Sequence, residues 1–280
     1  MLITCHECDI LIQAKYFTDE TFRFLVRNTF IHKREEDLRM RTSNPALKAF
    51  TKREGAYSSK PMTLMGAINK SFLLLFILIT AAGATWYYSS QGQDVSAIMI
   101  GGAIGGLIVA LIVSFVPRTA PVLAPVYAVL EGMFVGGISA YYASLYEGIV
   151  MQAVLITASV FLALLVAYRT RLINVTRNFR LGVIAATGGI FIMYLLSFVL
   201  GFFGVNIPFL HDSSPIGILI SVAIVIVAAL NLVLDFDFIE NGSRAGLPKH
   251  MEWYAGFALL VTLVWLYLEI LRLLAKLRRN

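Results

Sequence analysis

The sequence predicts an all-α fold, a polytopic membrane bundle of seven helical spans. The composition is 58% hydrophobic and only 14% charged, more apolar surface than a water-soluble domain of 280 residues can hide. The apolar residues fall into seven runs, most of them near the roughly 20 residues that a crossing helix needs. The runs lack strict alternation, and backbone groups in lipid must be satisfied within the segment, so helices are favoured over a barrel.

The chain divides into a polar amino-terminal segment (1–70), a membrane domain (71–276) and a basic tail (277–280). In the first, Phe22, Leu25, Val26, Thr29 and Phe30 recur at helical spacing. That pattern suits a short amphipathic helix on the membrane surface, but packing against the protein's own face, or no fixed structure, is the favoured reading. Cys5-His6-Glu7-Cys8 is half of a zinc motif without a second half, and two cysteines make no disulfide framework. Met40 begins a plausible second start, which would make residues 1–39 an extension without bearing on function. The first apolar run comes only after about seventy residues, which does not fit a secretory signal peptide.

The runs are Phe72–Tyr88, Ser96–Val116, Pro121–Leu145, Ile149–Tyr168, Leu181–Val205, Ile216–Phe236 and Tyr254–Leu274. Trp86, Tyr87 and Tyr88 close the first as an aromatic belt would. Of 23 Lys and Arg residues, 12 lie at or before Lys70. The links then carry Asp94; Arg118; Glu147; four Arg (169, 171, 177 and 180); His211 with Asp212; and Arg244 with Lys249. Basic and non-basic links alternate through six spans, which puts the amino terminus in the cytoplasm. The distribution is topological, and no basic module with interleaved aromatics points to nucleic acid. The seventh run breaks the alternation, because crossing would carry Arg272, Lys276, Arg278 and Arg279 outside. Either it crosses with snorkelling side chains or it is buried and stops short.

Glycines cluster in the second, third and fifth runs. Spacing of four puts Gly101 and Gly105 on one face, where two helix backbones can approach. GGAIGG lies at lipid depth and lacks the Lys-Ser/Thr of a phosphate loop.

Of 17 acidic residues, only Glu131, Asp235, Asp237 and Glu269 lie within or beside the runs. A carboxylate at hydrocarbon depth costs roughly 2.5–3.5 kcal/mol on insertion scales and is tolerated where it faces a partner, a cavity or an ion path. Asp235 and Asp237 are about 200° apart around a helix, so both cannot face one lumen. Asn231 shares the face of Asp235, which makes Asp235 the inward group and leaves Asp237 near the interface. Glu131 shares its face with Tyr127. Glu269 has Arg272 three residues on, within reach of an ion pair.

A bland account competes: Glu269–Arg272 is a neutralised pair, and Asp235 emerges into water. The sharper one is that Asp235 and Glu269 meet and share a proton, since two close carboxyl groups in a low-dielectric site do not both ionise cheaply. Such a pair is biased by pH between two states, and its oxygens suit Ca²⁺.

At these residues the chain resembles the Bax-inhibitor family. Leu266-Tyr267-Leu268-Glu269-Ile270 is similar to its last-helix motif, leucine-tyrosine-leucine-aspartate followed by an apolar residue. Leu234-Asp235 is similar to the end of its sixth helix, and the likeness runs from about Thr42 to the carboxyl terminus. The resemblance implies a seventh helix at the centre, wrapped by the other six, and a pH sensor mapped onto Asp235 and Glu269. It implies either pH-sensitive calcium leak or restraint of a partner such as a membrane protease. The sequence departs in having Glu for the second aspartate and an apparent insertion around 241–248.

The expectation is therefore a pH-sensitive calcium or cation leak in a bacterial inner membrane. Asp235 and Glu269 act as gate, proton sensor and calcium contact, Glu131 and Asp237 are supporting acids, and there is no cofactor. The alternative is a non-transporting regulator of a membrane protein. An enzyme fits least, because all four histidines lie outside the runs and no intramembrane aspartyl-protease motif is present.

Overall fold

The computed structural model describes residues 61–203 and 213–279. The amino-terminal features (Cys5–Cys8, the pattern at 22–30, the start at Met40) lie outside the described residues. Seven long helices follow in the described chain: α1 Leu64–Ser90, α2 Ser96–Phe115, α3 Ala120–Leu145, α4 Ile149–Arg169, α5 Arg177–Phe202, α6 Pro215–Arg244 and α7 Met251–Arg279. All seven are long and apolar enough to cross a membrane. The all-α, seven-span expectation stands.

The helices outrun the apolar runs because capping and polar contacts carry them past the hydrocarbon limits. The Thr63 hydroxyl accepts from Gly66 N at 3.0 Å, which starts α1 eight residues before Phe72. Ser214, followed by Pro215, caps α6 through Gly217 N at 3.2 Å, and Thr176 caps α5 through Phe179 N. The division expected at residue 70 thus falls inside α1, and the basic tail continues α7 through Arg279.

Each helix runs opposite to the one before it, and contacts at both ends fix this. At one end Met62 N donates to Leu247 O at 2.6 Å, and Thr63 donates to Glu252. Tyr168 and Arg171 meet Glu240 at this same end. At the other end Lys276 Nζ donates to Ser221 Oγ at 2.8 Å and Gly217 O at 3.2 Å, and Arg278 donates to Glu147 O at 2.5 Å and Gln152 Oε1 at 3.0 Å. By these contacts α7 runs alongside α6 over its length, and Lys276 and Arg278 bind carbonyl, hydroxyl and amide oxygens of the bundle.

α7 is the core. From Tyr254 to Leu271 nearly every residue is buried. It packs on α1, α3, α4 and α6. The arrangement refines the picture of six helices around one, for α2 docks on α3, and α5 lies against α6. The outer helices turn large apolar side chains outward, such as Phe72, Ile108, Leu155 and Ile192, as lipid contact requires.

α1 and α3 approach closely at Gly132 and Gly136, and α2 meets α3 at Gly102. Of the face expected to pack, a Cβ on Gly105 would meet the Leu130 side chain at 3.3 Å, but one on Gly101 would meet open space, and Gly102 takes its place, where a Cβ would lie 2.5 Å from Leu130 O.

His250, in the α6–α7 link, is held below its ordinary value of 6.5 by partial burial and then by Arg118. The unfolded chain therefore takes up this proton at higher pH than the folded protein. Its contribution to stability is complete above about pH 6.5 and declines as pH falls below that. His250→Gln is expected to flatten the loss of melting temperature between about pH 6.5 and 5. Parallel curves for the two proteins would refute this.

Candidate functional site: buried acids around the central helix

Glu269 sits on α7 with its side chain fully buried. Trp265 and Arg272 flank it on the same helix, since residues three and four apart share a face. Trp265 Nε1 donates to Glu269 Oε1 at 3.3 Å, and Arg272 Nη1 donates to both carboxylate oxygens at 3.0 Å. From α5 the Tyr194 hydroxyl donates to Glu269 Oε1 at 3.2 Å and accepts from Arg272 Nη1. The Arg272 guanidinium lies 5.4 Å from the Tyr194 ring centroid. The result is a neutral cluster that joins α7 to α5. The ion pair expected from spacing is present, and its tyrosine partner adds a second helix.

Asp235, 2% exposed, lies on α6. One turn earlier Asn231 is buried as well, and its amide donates to Thr187 Oγ1 of α5 at 2.9 Å and to Val227 O at 2.8 Å. Asp235 is therefore an inward group, and the alternative that it emerges into water does not hold. Asp237, two residues on, pairs with Arg180 of α5 at 2.5 Å and is partly exposed. The two acids part around the helix as the 100° step requires.

The contacts with α5 rank these groups by depth. Asp237 is opposite Arg180, Asn231 opposite Thr187, and Glu269 opposite Tyr194. Counted from the α6–α7 link, Asp235 is nine residues before the end of α6 and Glu269 eighteen after the start of α7. At 1.5 Å per residue their α-carbons differ in depth by about 13 Å. Two side chains of this length, on neighbouring helices, do not bridge that offset. The helix bounds thus set the two acids of the expected pair at different depths along the bundle. Residues 241–248 do not form a loose insertion: half extend α6 to Arg244, and α7 resumes at Met251.

Glu131 is buried on α3 at 3% exposure. It faces α2, where a Cβ on Gly106 would come within 3.1 Å of its Oε2. Tyr127, one turn earlier, packs its ring edge on Phe257 of α7, centroids 4.9 Å apart. Buried acids thus stand on α3, α6 and α7. Among the described residues no three of His, Cys, Asp and Glu are grouped so as to hold a metal ion.

Sequence reasoning left Glu240 among link residues, yet it is a hub. Tyr168 of α4 donates to its Oε2 at 2.5 Å and Arg171 to its Oε1 at 2.7 Å, and Arg244 pairs with it as well. The i,i+4 spacing of Glu240 and Arg244 was the available signal. Glu252 was also missed. It is buried, and it accepts from Thr63 N at 2.9 Å, from the Thr63 hydroxyl at 2.8 Å and from Lys249 at 2.7 Å. Tyr194 carried no signal, since one tyrosine in an apolar run is ordinary.

No curated protein and no solved structure matches the chain. The model of one family, described as Bax inhibitor 1 like, matches residues 44–279, which takes in all seven helices and every acid discussed above. On that match, over most of its length, the chain belongs to the Bax inhibitor 1 like family.

Proposed function

We propose that the protein is a pH-sensitive leak pathway for cations, calcium among them, with its amino terminus and basic end in the cytoplasm of a bacterial cell. The observation that carries this reading is the Glu269–Arg272–Tyr194 cluster, a buried ionic latch between the central helix and α5. A proton on Glu269 cancels the charge that holds Arg272 and turns one acceptor oxygen into a donor. α5 then loses its tie to α7. Asp235 and Glu131 are further buried acids for a passing cation to meet, and carboxylate oxygens are the ligands calcium prefers. In this scheme Glu269 senses the proton alone, Asp235 contacts the ion, and Asp237, paired with Arg180, holds α5 at the basic end. The function is non-enzymatic.

Purified protein in vesicles loaded with a calcium dye tests the scheme. Calcium entry is expected to rise as external pH falls. Glu269→Gln is expected to raise entry at neutral pH and flatten its pH dependence, whereas Asp235→Asn lowers entry at every pH. Absence of flux at any pH, with a membrane protein co-purifying, would replace the leak by the regulator.

A further inference from the structure

The link between α4 and α5 carries cationic charge left unpaired among the described residues. Arg171, Arg180 and Arg244 are engaged by Glu240 and Asp237. Arg169 and Arg177 are exposed, and neither has a hydrogen bond or ion pair among the described residues. Five arginines against two carboxylates leave this corner with a formal charge of about +3.

Between Arg169 and Arg177 stands Leu172, a large apolar side chain 78% exposed, whereas the link's other apolar residues, Ile173 and Val175, pack against the core. Its outward direction is built in. Arg171 has φ 60°, a left-handed conformation that costs a residue with a Cβ roughly 1–2 kcal/mol. Its N–H donates to Tyr168 O at 3.1 Å, and Leu172 N donates to Ala167 O at 3.0 Å, closing the end of α4. The Arg171 side chain is held by Glu240 and lies 5.7 Å from the Tyr168 ring centroid. With the turn fixed in this way, Leu172 points away from the bundle.

We propose that this link is a binding surface for anionic phospholipid headgroups of the leaflet at the basic end. Arg169 and Arg177 take the phosphates, and Leu172 inserts among the upper acyl carbons. A guanidinium matches a phosphate bidentately. The net charge favours a headgroup without a compensating cation. The apolar side chain between two exposed guanidinia, at the end of a membrane-length helix, matches the boundary between headgroup and acyl chain, where apolar stems and charged tips part company. An acidic soluble protein would satisfy the arginines and leave Leu172 without a complement.

The test is lipid binding to the full-length protein in detergent, read by native mass spectrometry with phosphatidylglycerol and phosphatidylcholine as probes. Phosphatidylglycerol is expected to bind more tightly, and less so as salt is raised. The double variant Arg169→Gln/Arg177→Gln is expected to weaken phosphatidylglycerol by about fivefold per arginine and to leave phosphatidylcholine unchanged. Arg169→Lys/Arg177→Lys should keep most of the preference, and Leu172→Ser should weaken both lipids alike. Because neither arginine has a hydrogen bond or ion pair among the described residues and Leu172 is exposed, all variants are expected to melt with the parent protein. Equal binding of the two lipids by the parent would overturn the proposal. So would an undiminished preference in the glutamine pair, or a loss shared fully by the lysine pair.

Discussion

Arg272→Gln is expected to lower the stability of the purified protein by about 3–5 kcal/mol, the usual penalty for leaving a buried carboxylate without its cation. Glu269 is fully buried, so it has no route to water; the Arg272 side chain is 20% exposed and lies nearer the end of the bundle. The two halves of the pair are therefore unequal. Glu269→Gln strands a cation that can reach outward, and it should cost less than Arg272→Gln. The double variant Glu269→Gln/Arg272→Gln removes both charges and is expected to recover most of the loss. Melting of the four proteins in one detergent completes the cycle. If the two single effects simply add, the ion pair is not a unit and the latch fails as a description.

The consequence of that cycle reaches α5. Three polar links at three depths tie this helix to α6 and α7: Arg180 to Asp237, Thr187 to Asn231, and Tyr194 to Glu269 with Arg272. Its apolar side chains Ile192, Leu195, Leu196 and Val199 face outward. Releasing α5 therefore costs few buried apolar contacts, and the polar links set how tightly it is held. Elements that open easily come from this class. The latch gains its leverage from where it sits, on the last of the three levels counted from the basic end.

Much of this fold was legible because lipid allows so few solutions. Seven apolar runs, alternating basic links and a last run holding an acid specify a seven-helix bundle before any coordinates. The site was legible in part. Burial of Asp235 followed from Asn231 one turn away, and the Glu269–Arg272 pair followed from spacing alone. The relative depth of Asp235 and Glu269 was not legible, because motif order carries no information on depth, and depth depends on how many of residues 241–250 are helical. Glu240 was misplaced for a related reason: hydrophobicity ends near Phe236, whereas the helix continues to Arg244 on charge pairs. The tail cations looked like a breach of the positive-inside pattern. Oxygens of the bundle receive three of them, Arg272, Lys276 and Arg278, and for the last two the partners are distant in sequence, a kind of contact that sequence does not display.

The second large effect is expected from glycines that look alike in sequence. A Cβ on Gly132 would stand 2.5 Å from Leu78 O and 2.7 Å from the Ala81 Cβ. On Gly136 it would stand 2.4 Å from Ala82 O and 2.8 Å from its Cα. These neighbours are backbone or the first side-chain carbon, so no flexible tip can swing away, and α1 must move off α3. Gly132→Ala and Gly136→Ala are each expected to cost about 1–3 kcal/mol, as overpacking does in close-packed interiors. The matching change at Gly101 or Gly189, where a Cβ would meet nothing within 4 Å, is expected to be neutral or slightly stabilising, since alanine is the better helix former. Melting temperatures of the four single variants decide the matter. Equal effects at all four positions would mean that α1 does not approach α3 this closely. A loss confined to Gly132 and Gly136 would establish that these two helices are joined by backbone contact, a rigid wall against which α7 is packed.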